Sequence, residues 1–93
     1  MKNKEYNYPI DYTLYSIDEV TDIINFLTIV EDCYLRGVSL EDYKAAYKNF
    51  KKIVRAKSEE NTLFKEFKEV SGFDGYLTTK MMKEEQPRIK INS

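Results

Sequence analysis

Apolar residues in this chain recur at helical spacing in four separate stretches, and each stretch begins beside a serine or an aspartate. In the first, Val20, Ile23, Ile24, Leu27, Val30 and Tyr34 fall on one helical face, with Phe26, Ile29 and Cys33 as a second stripe beside it. The pattern predicts a helix from Ile17 to Arg36, wrapped by neighbours on more than one side. Thr21, Asn25, Thr28 and Asp32 mark its polar face, and Gly37 ends it. A second helix is predicted from Leu40 to Val54, burying Tyr43, Ala46, Tyr47, Phe50, Ile53 and Val54. A third runs from Glu59 to Ser71 with Leu63, Phe64, Phe67 and Val70 inward, and Gly72 closes it. A fourth runs from Gly75 to Glu85 with Tyr76, Leu77, Lys80 and Met81 along its inner side. Pro87 stops it, because proline cannot continue a helix.

The starts of these helices are written locally. Ser16 stands three residues before Glu19, the spacing of a reciprocal capping box. Ser39 before Asp42, Ser58 before Glu59, Glu60 and Asn61, and Asp74 before Tyr76 supply the other three expected caps. Residues 1–15 lack helical periodicity and hold Tyr6, Tyr8, Tyr12 and Tyr15 around Pro9, which pushes Tyr8 toward extended geometry. They read as an extended tyrosine-rich arm lying on the helices, and any of its tyrosines left exposed would suit a protein interface, with another protein or with a second copy. Residues 16–85 read as the helical domain, and residues 86–93 as a loose polar tail. The fold class expected is therefore all-α, a single small domain of four helices with an N-terminal extended arm.

With the elements placed, a particular order of residues stands out. It begins with Tyr8-Pro9-Ile10-Asp11-Tyr12, Ser16 with Glu19-Val20, Val30-Glu31 and Gly37-Val38. It continues with Ala46-Tyr47, Phe50-Lys51, Ile53-Val54, Lys57 with Glu59-Glu60, and Glu69-Val70-Ser71-Gly72-Phe73 followed by Tyr76. This set resembles an uncharacterised protein family (UPF) 0223 of small proteins from low-GC Gram-positive bacteria, across residues 6–83. The resemblance implies a small all-α fold. It brings no activity and no functional residues to carry over.

Composition narrows the function classes. The chain has 93 residues and a net charge of −1, with one cysteine and no histidine. A single cysteine excludes an intramolecular disulfide, and without histidine the usual His/Cys zinc sites and the commonest general base are absent. No cofactor is expected. The most apolar stretch, Ile23 to Val30, is far below the roughly 20 residues of a membrane span. The start, Met-Lys-Asn-Lys-Glu-Tyr, has no apolar core behind it, so the expectation is a cytoplasmic protein with no secretory leader.

The charge is unevenly spread. Residues 1–43 carry 3 basic and 9 acidic residues, residues 44–57 carry 6 basic and no acidic ones, and the remainder 6 and 7. On the second helix Lys44, Lys48, Lys51 and Arg55 form a basic stripe beside the aromatic face. It reads as a docking strip for an acidic partner or a phosphate backbone. The plainer reading is a solvated face whose stems cover the core edge. In a third reading, the acidic N-terminal half of another copy pairs with it in a homodimer.

Nucleic acid is the runner-up. A general binder carries clear positive excess, and the third helix holds Glu59, Glu60, Glu66 and Glu69, which oppose phosphate. Catalysis finds little support. Adjacent carboxylates such as Glu31–Asp32 point about 100° apart on a helix. Asp18 and Asp22 share a face but lack the histidine partners of a di-metal bundle site. Cys33 falls in an apolar stripe with no base available. The sequence is read as a non-catalytic protein-interaction module, an adaptor or regulator, with the stripe as its contact.

Overall fold

The computed structural model describes residues 8–91. Ser16 begins the first helix as expected: its hydroxyl accepts from the Glu19 amide, and the Glu19 carboxylate accepts from the Ser16 amide. Helix α1 then runs Ile17–Leu35. Gly37, at φ +87°, turns the chain in the left-handed region, and its N–H donates back to the Asp32 carbonyl. Two residues, Val38–Ser39, form strand β1, and Ser39 caps α2, Leu40–Ile53, by accepting from the Asp42 amide. Helix α3 spans Lys57–Ser71 and α4 spans Gly75–Lys83, with Asp74 capping α4 through the Tyr76 and Leu77 amides. Strand β2, Arg88–Ile89, returns antiparallel to β1, pairing Val38 with Ile89 and Ser39 with Arg88.

The core is an aromatic stack on the wide apolar arc of α1. The Phe26 ring lies 4.4 Å from Phe50, 5.4 Å from Tyr43 and 5.9 Å from Phe64. Ile23, Leu27, Val30 and Cys33 fill the rest of that arc, all buried. Such ring pairs add specific geometry to a large area burial, which is how a chain this short makes one defined core.

Four expectations change in the structure. Ser58 does not cap α3. The helix starts two residues earlier, at Lys57, with Ala56 at the cap and no side-chain cap bond. Val70 is exposed, because the face that α3 turns fully inward is Glu60, Phe64 and Phe67, with Leu63 half-buried beside it. In α4 the buried face is Gly75, Thr78, Thr79 and Met82, so Tyr76 and Leu77 point outward and Lys80 is exposed. The reason is Tyr43, whose buried hydroxyl shares hydrogen bonds of 2.8 and 2.7 Å with Thr78 and Thr79. A buried hydroxyl needs partners, and that need outweighs the hydrophobic phase of a nine-residue helix.

The fourth change is the tail. Residues 88–91 strap the α1–α2 hairpin instead of hanging loose. The Arg88 guanidinium donates to the Arg36 carbonyl at 2.7 Å, Ile91 N–H to the Cys33 carbonyl at 2.9 Å, and Leu40 N–H to the Pro87 carbonyl at 3.0 Å. These bonds satisfy end groups that two helices leave open. Ile89 is fully buried beneath them.

The arm also has structure of its own. Tyr8 stacks on Phe67 at 6.0 Å and donates to buried Glu31 at 3.1 Å. The extended course ends at Asp11, whose carboxylate accepts from the Thr13 amide and hydroxyl and makes a turn that leads into α1. Ile10 and Tyr15 pack on the core and Tyr12 is exposed; Tyr6 lies outside the described residues.

Candidate interaction surface

Helix α2 does place Lys44, Lys48, Lys51 and Arg55 along one side, but they do different things there. Lys51 reaches across to α3, where its ammonium sits 2.8 Å from the buried Glu60 carboxylate and also donates to the Arg55 carbonyl. Tyr47 completes that carboxylate's shell with a 3.0 Å hydrogen bond. Burial, and then Glu60 as partner and charge, raises the Tyr47 hydroxyl far above its ordinary pKa, so it stays a donor. Arg55 turns its Nε onto the Lys52 carbonyl at the end of α2. Lys44 makes a long 3.6 Å pair with exposed Glu85. Lys48 is exposed and has no ion pair among the described residues. Thus Lys51 alone of the stripe ties α2 to α3, Arg55 makes a local bond at the end of its own helix, and Lys44, Lys48 and Arg55 are exposed.

A second surface lies where the N-terminal segment crosses α3. Residues 9–15 and the first half of α3 enclose a groove of about 310 Å³. Its floor is apolar, formed by Ile10, Leu14, Tyr15, Ile23, Val54 and Leu63. Its charged rim is acidic throughout: Asp11 on one side, Glu59 and Glu66 on the other. Asp11 is held below its usual pKa by the Thr13 hydroxyl and then the Thr13 amide, so its charge is fixed. Tyr15 is raised, first by burial and then by the charges of Glu59, Asp11 and Glu19. Among the described residues neither Glu59 nor Glu66 has a cation within ion-pairing distance.

Two strongly exposed apolar side chains stand in the N-terminal wall of the groove and just after it in the chain. Leu14 is 68% exposed and Ile17 is 85% exposed, one at the groove and one at the first turn of α1. Apolar side chains gathered beside a cleft mark contact surfaces more often than scattered ones do. The sequence offers the tyrosine arm as a second candidate interface but not its α3 wall, because the two are some 50 residues apart in the chain. The available signal was that Leu14 precedes the first helix and its apolar face, while Glu59 and Glu66 lie seven apart on one side of α3.

The other candidate chemistries are quickly placed. Cys33 is buried in the core, and burial, followed by the charge of Asp32, pushes its thiol up to about 12. No group of three or more metal-ligating side chains is found among the described residues. Nor, among them, is any helix long and apolar enough to cross a membrane.

Comparison with known proteins agrees with the ordered residues noted above. A UPF0223 protein of Oceanobacillus iheyensis is 42% identical over 79 residues, covering 85% of this chain and 89% of its own. One from Staphylococcus aureus strain Newman is 44% identical over 89 residues, covering 96% of this chain and 97% of its own. The profile of the Uncharacterised protein family (UPF0223) matches residues 5–90, and the chain belongs to that family.

Proposed function

We propose that this protein is a non-catalytic, cytoplasmic protein-interaction module. Its docking face is the groove between residues 9–15 and α3, and its partner is a protein segment with an apolar anchor flanked by lysine or arginine. The observation that carries this reading is the groove's combination of an apolar floor with a charged rim of acids alone. Apolar contact supplies affinity, while the one-signed rim steers encounter and selects against acidic segments. Asp11 and the Glu59–Glu66 pair bracket the floor, so basic residues on either side of an anchor find a carboxylate.

A second reading keeps the α2 stripe as the contact for nucleic acid, and outward-facing Lys44 and Lys48 favour it. Affinity capture from native-host lysate, with and without nuclease, separates the two. The module reading expects a nuclease-resistant partner that is lost from Leu14→Ser/Glu66→Lys and retained by Lys44→Glu/Lys48→Glu. Loss on nuclease treatment and on the lysine reversal, with the groove variant unaffected, would give the site to the α2 stripe. Lys51 is kept in both variants because Glu60 depends on it.

A further inference from the structure

Residues 9–15, one wall of the groove, belong to no helix or strand. Their middle, from Asp11 to Leu14, is exposed. The bonds there are local: the Asp11 carboxylate accepts from Thr13, and the Leu14 N–H donates to the Asp11 carbonyl. These bonds shape the segment but do not hold it against α3. A stretch with few buried contacts opens locally at small cost. Beyond the half-buried Ile10 and Tyr15, the wall depends on what pins its two ends.

One end runs into the Ser16–Glu19 capping box of α1. The other is Tyr8, which lies outside the lining of the groove. Its ring stacks on Phe67 of α3 at 6.0 Å, and its hydroxyl donates to Glu31 of α1 at 3.1 Å. One side chain thus grips two helices. The acceptor is a fully buried carboxylate, and hydrogen bonds to a charged acceptor are among the stronger ones. Pro9 follows at once with its φ fixed by the ring. The Ile10 N–H then donates back to the Tyr8 carbonyl at 2.8 Å, closing a three-residue turn. The position of Tyr8 is passed through few free torsions to Ile10, which is part of the groove's floor.

We propose that Tyr8 is a positioning residue for the groove: its grip on Phe67 and Glu31 docks residues 9–15 on α3, and the docking face exists only while that grip holds. This inference rests on the reading of the groove as the docking face. It assigns that face a residue outside its own lining. Arm docking and partner binding are then linked. A partner in the groove holds the arm down, and a weakened grip lowers the apparent affinity by the fraction of chains whose arm is still docked.

The test compares the full chain with Tyr8→Ala, Tyr8→Phe and Ile89→Ala in two readouts. Chymotrypsin cleavage after Tyr12 and Tyr15, followed by mass spectrometry, reports the population with an open arm. Yield from a photo-crosslinking residue at Thr62, in the native host, reports the occupied groove. Tyr8→Ala should raise the cleavage and cut the crosslink, each at least about tenfold. Tyr8→Phe keeps the ring, loses the hydroxyl and should fall between parent and Tyr8→Ala in both. Ile89→Ala weakens the fold through the strap, away from both walls, and should leave both readouts within about twofold of the parent. Unchanged cleavage in Tyr8→Ala, an undiminished crosslink from a chain whose arm is open, or an equal loss of crosslink in Ile89→Ala would each overturn the role of Tyr8 and leave the groove reading standing. No crosslink from position 62 in the parent would overturn the groove reading, and this inference with it.

Discussion

Replacing Lys51 by alanine strands a carboxylate inside the protein. Glu60 is 1% exposed, and its two partners are the Lys51 ammonium at 2.8 Å and the Tyr47 hydroxyl at 3.0 Å. Removing one member of a buried pair costs about 3–5 kcal/mol, because the remaining charge is left without compensation. Two features place this case lower. Lys51 is 26% exposed, so its removal admits water, and the Tyr47 bond survives. A loss of about 2–3 kcal/mol follows. At about 0.05–0.15 kcal/mol per residue, the whole fold is worth roughly 5–14 kcal/mol, so the variant gives up a large share. The melting temperature should fall by about 10–20 °C in a thermal scan followed by circular dichroism. Lys48→Ala, one turn away on the same stripe but without a partner, should stay within about 0.5 kcal/mol of the parent. The double variant Lys51→Met/Glu60→Leu removes both charges and should recover to within about 1 kcal/mol. If Lys51→Ala melts like Lys48→Ala, or the double variant is no better than the single one, Glu60 does not depend on Lys51 and the division of the stripe is wrong.

Three further outcomes follow from the packing. Cys33 should resist thiol reagents in the folded protein at pH 8 and react on unfolding. Because the folded thiol keeps its proton up to about 12, this group leaves stability unchanged below its unfolded pKa of about 8.5. Above that pH the unfolded chain ionises first, so stability falls by about 1.4 kcal/mol per pH unit until about pH 12; a denaturant series against pH reads both effects. Ile89→Ala should cost about 2–4 kcal/mol in urea unfolding, since Ile89 is fully buried under the strap, whereas a loose tail would show no change. Gly75→Ala should cost about 1–3 kcal/mol, because the new Cβ would meet the Phe64 ring at 2.9 Å. Gly72→Ala serves as its comparison, with no atom within 4 Å to clash and only the left-handed backbone to oppose it.

The helices were legible because their information is local. The Ser16–Glu19 box, the Ser39 and Asp74 caps and the glycine after α1 each act within a few residues, and the apolar arc of α1 repeats often enough to fix its phase. The phase of α4 was not legible. Nine residues hold too few repeats, and what turns Thr78 and Thr79 inward is a tyrosine 35 residues away. The strap escaped for a similar reason: two residues of strand have no periodicity, and their partner Val38 lies 51 positions earlier. Ser58 shows the opposite failure, a good local cap signal left unused where Lys57 already begins the helix. In the α2 stripe the spacing was read correctly, but spacing says nothing about which lysine finds a buried carboxylate on another helix. The groove joins residues 9–15 to α3 across the whole domain, so no window of sequence contained both walls.

The most direct measurement places a photo-crosslinking residue at Thr62, inside the groove, and separately at Lys52 on α2, in the native host. Mass spectrometry then maps the joined peptides. The account predicts a crosslink from position 62, and none from position 52, to a partner segment whose apolar anchor is flanked by lysine or arginine. Crosslinks from position 52 alone, from position 62 only to a second copy of this chain, or from position 62 to an acidic segment would contradict it.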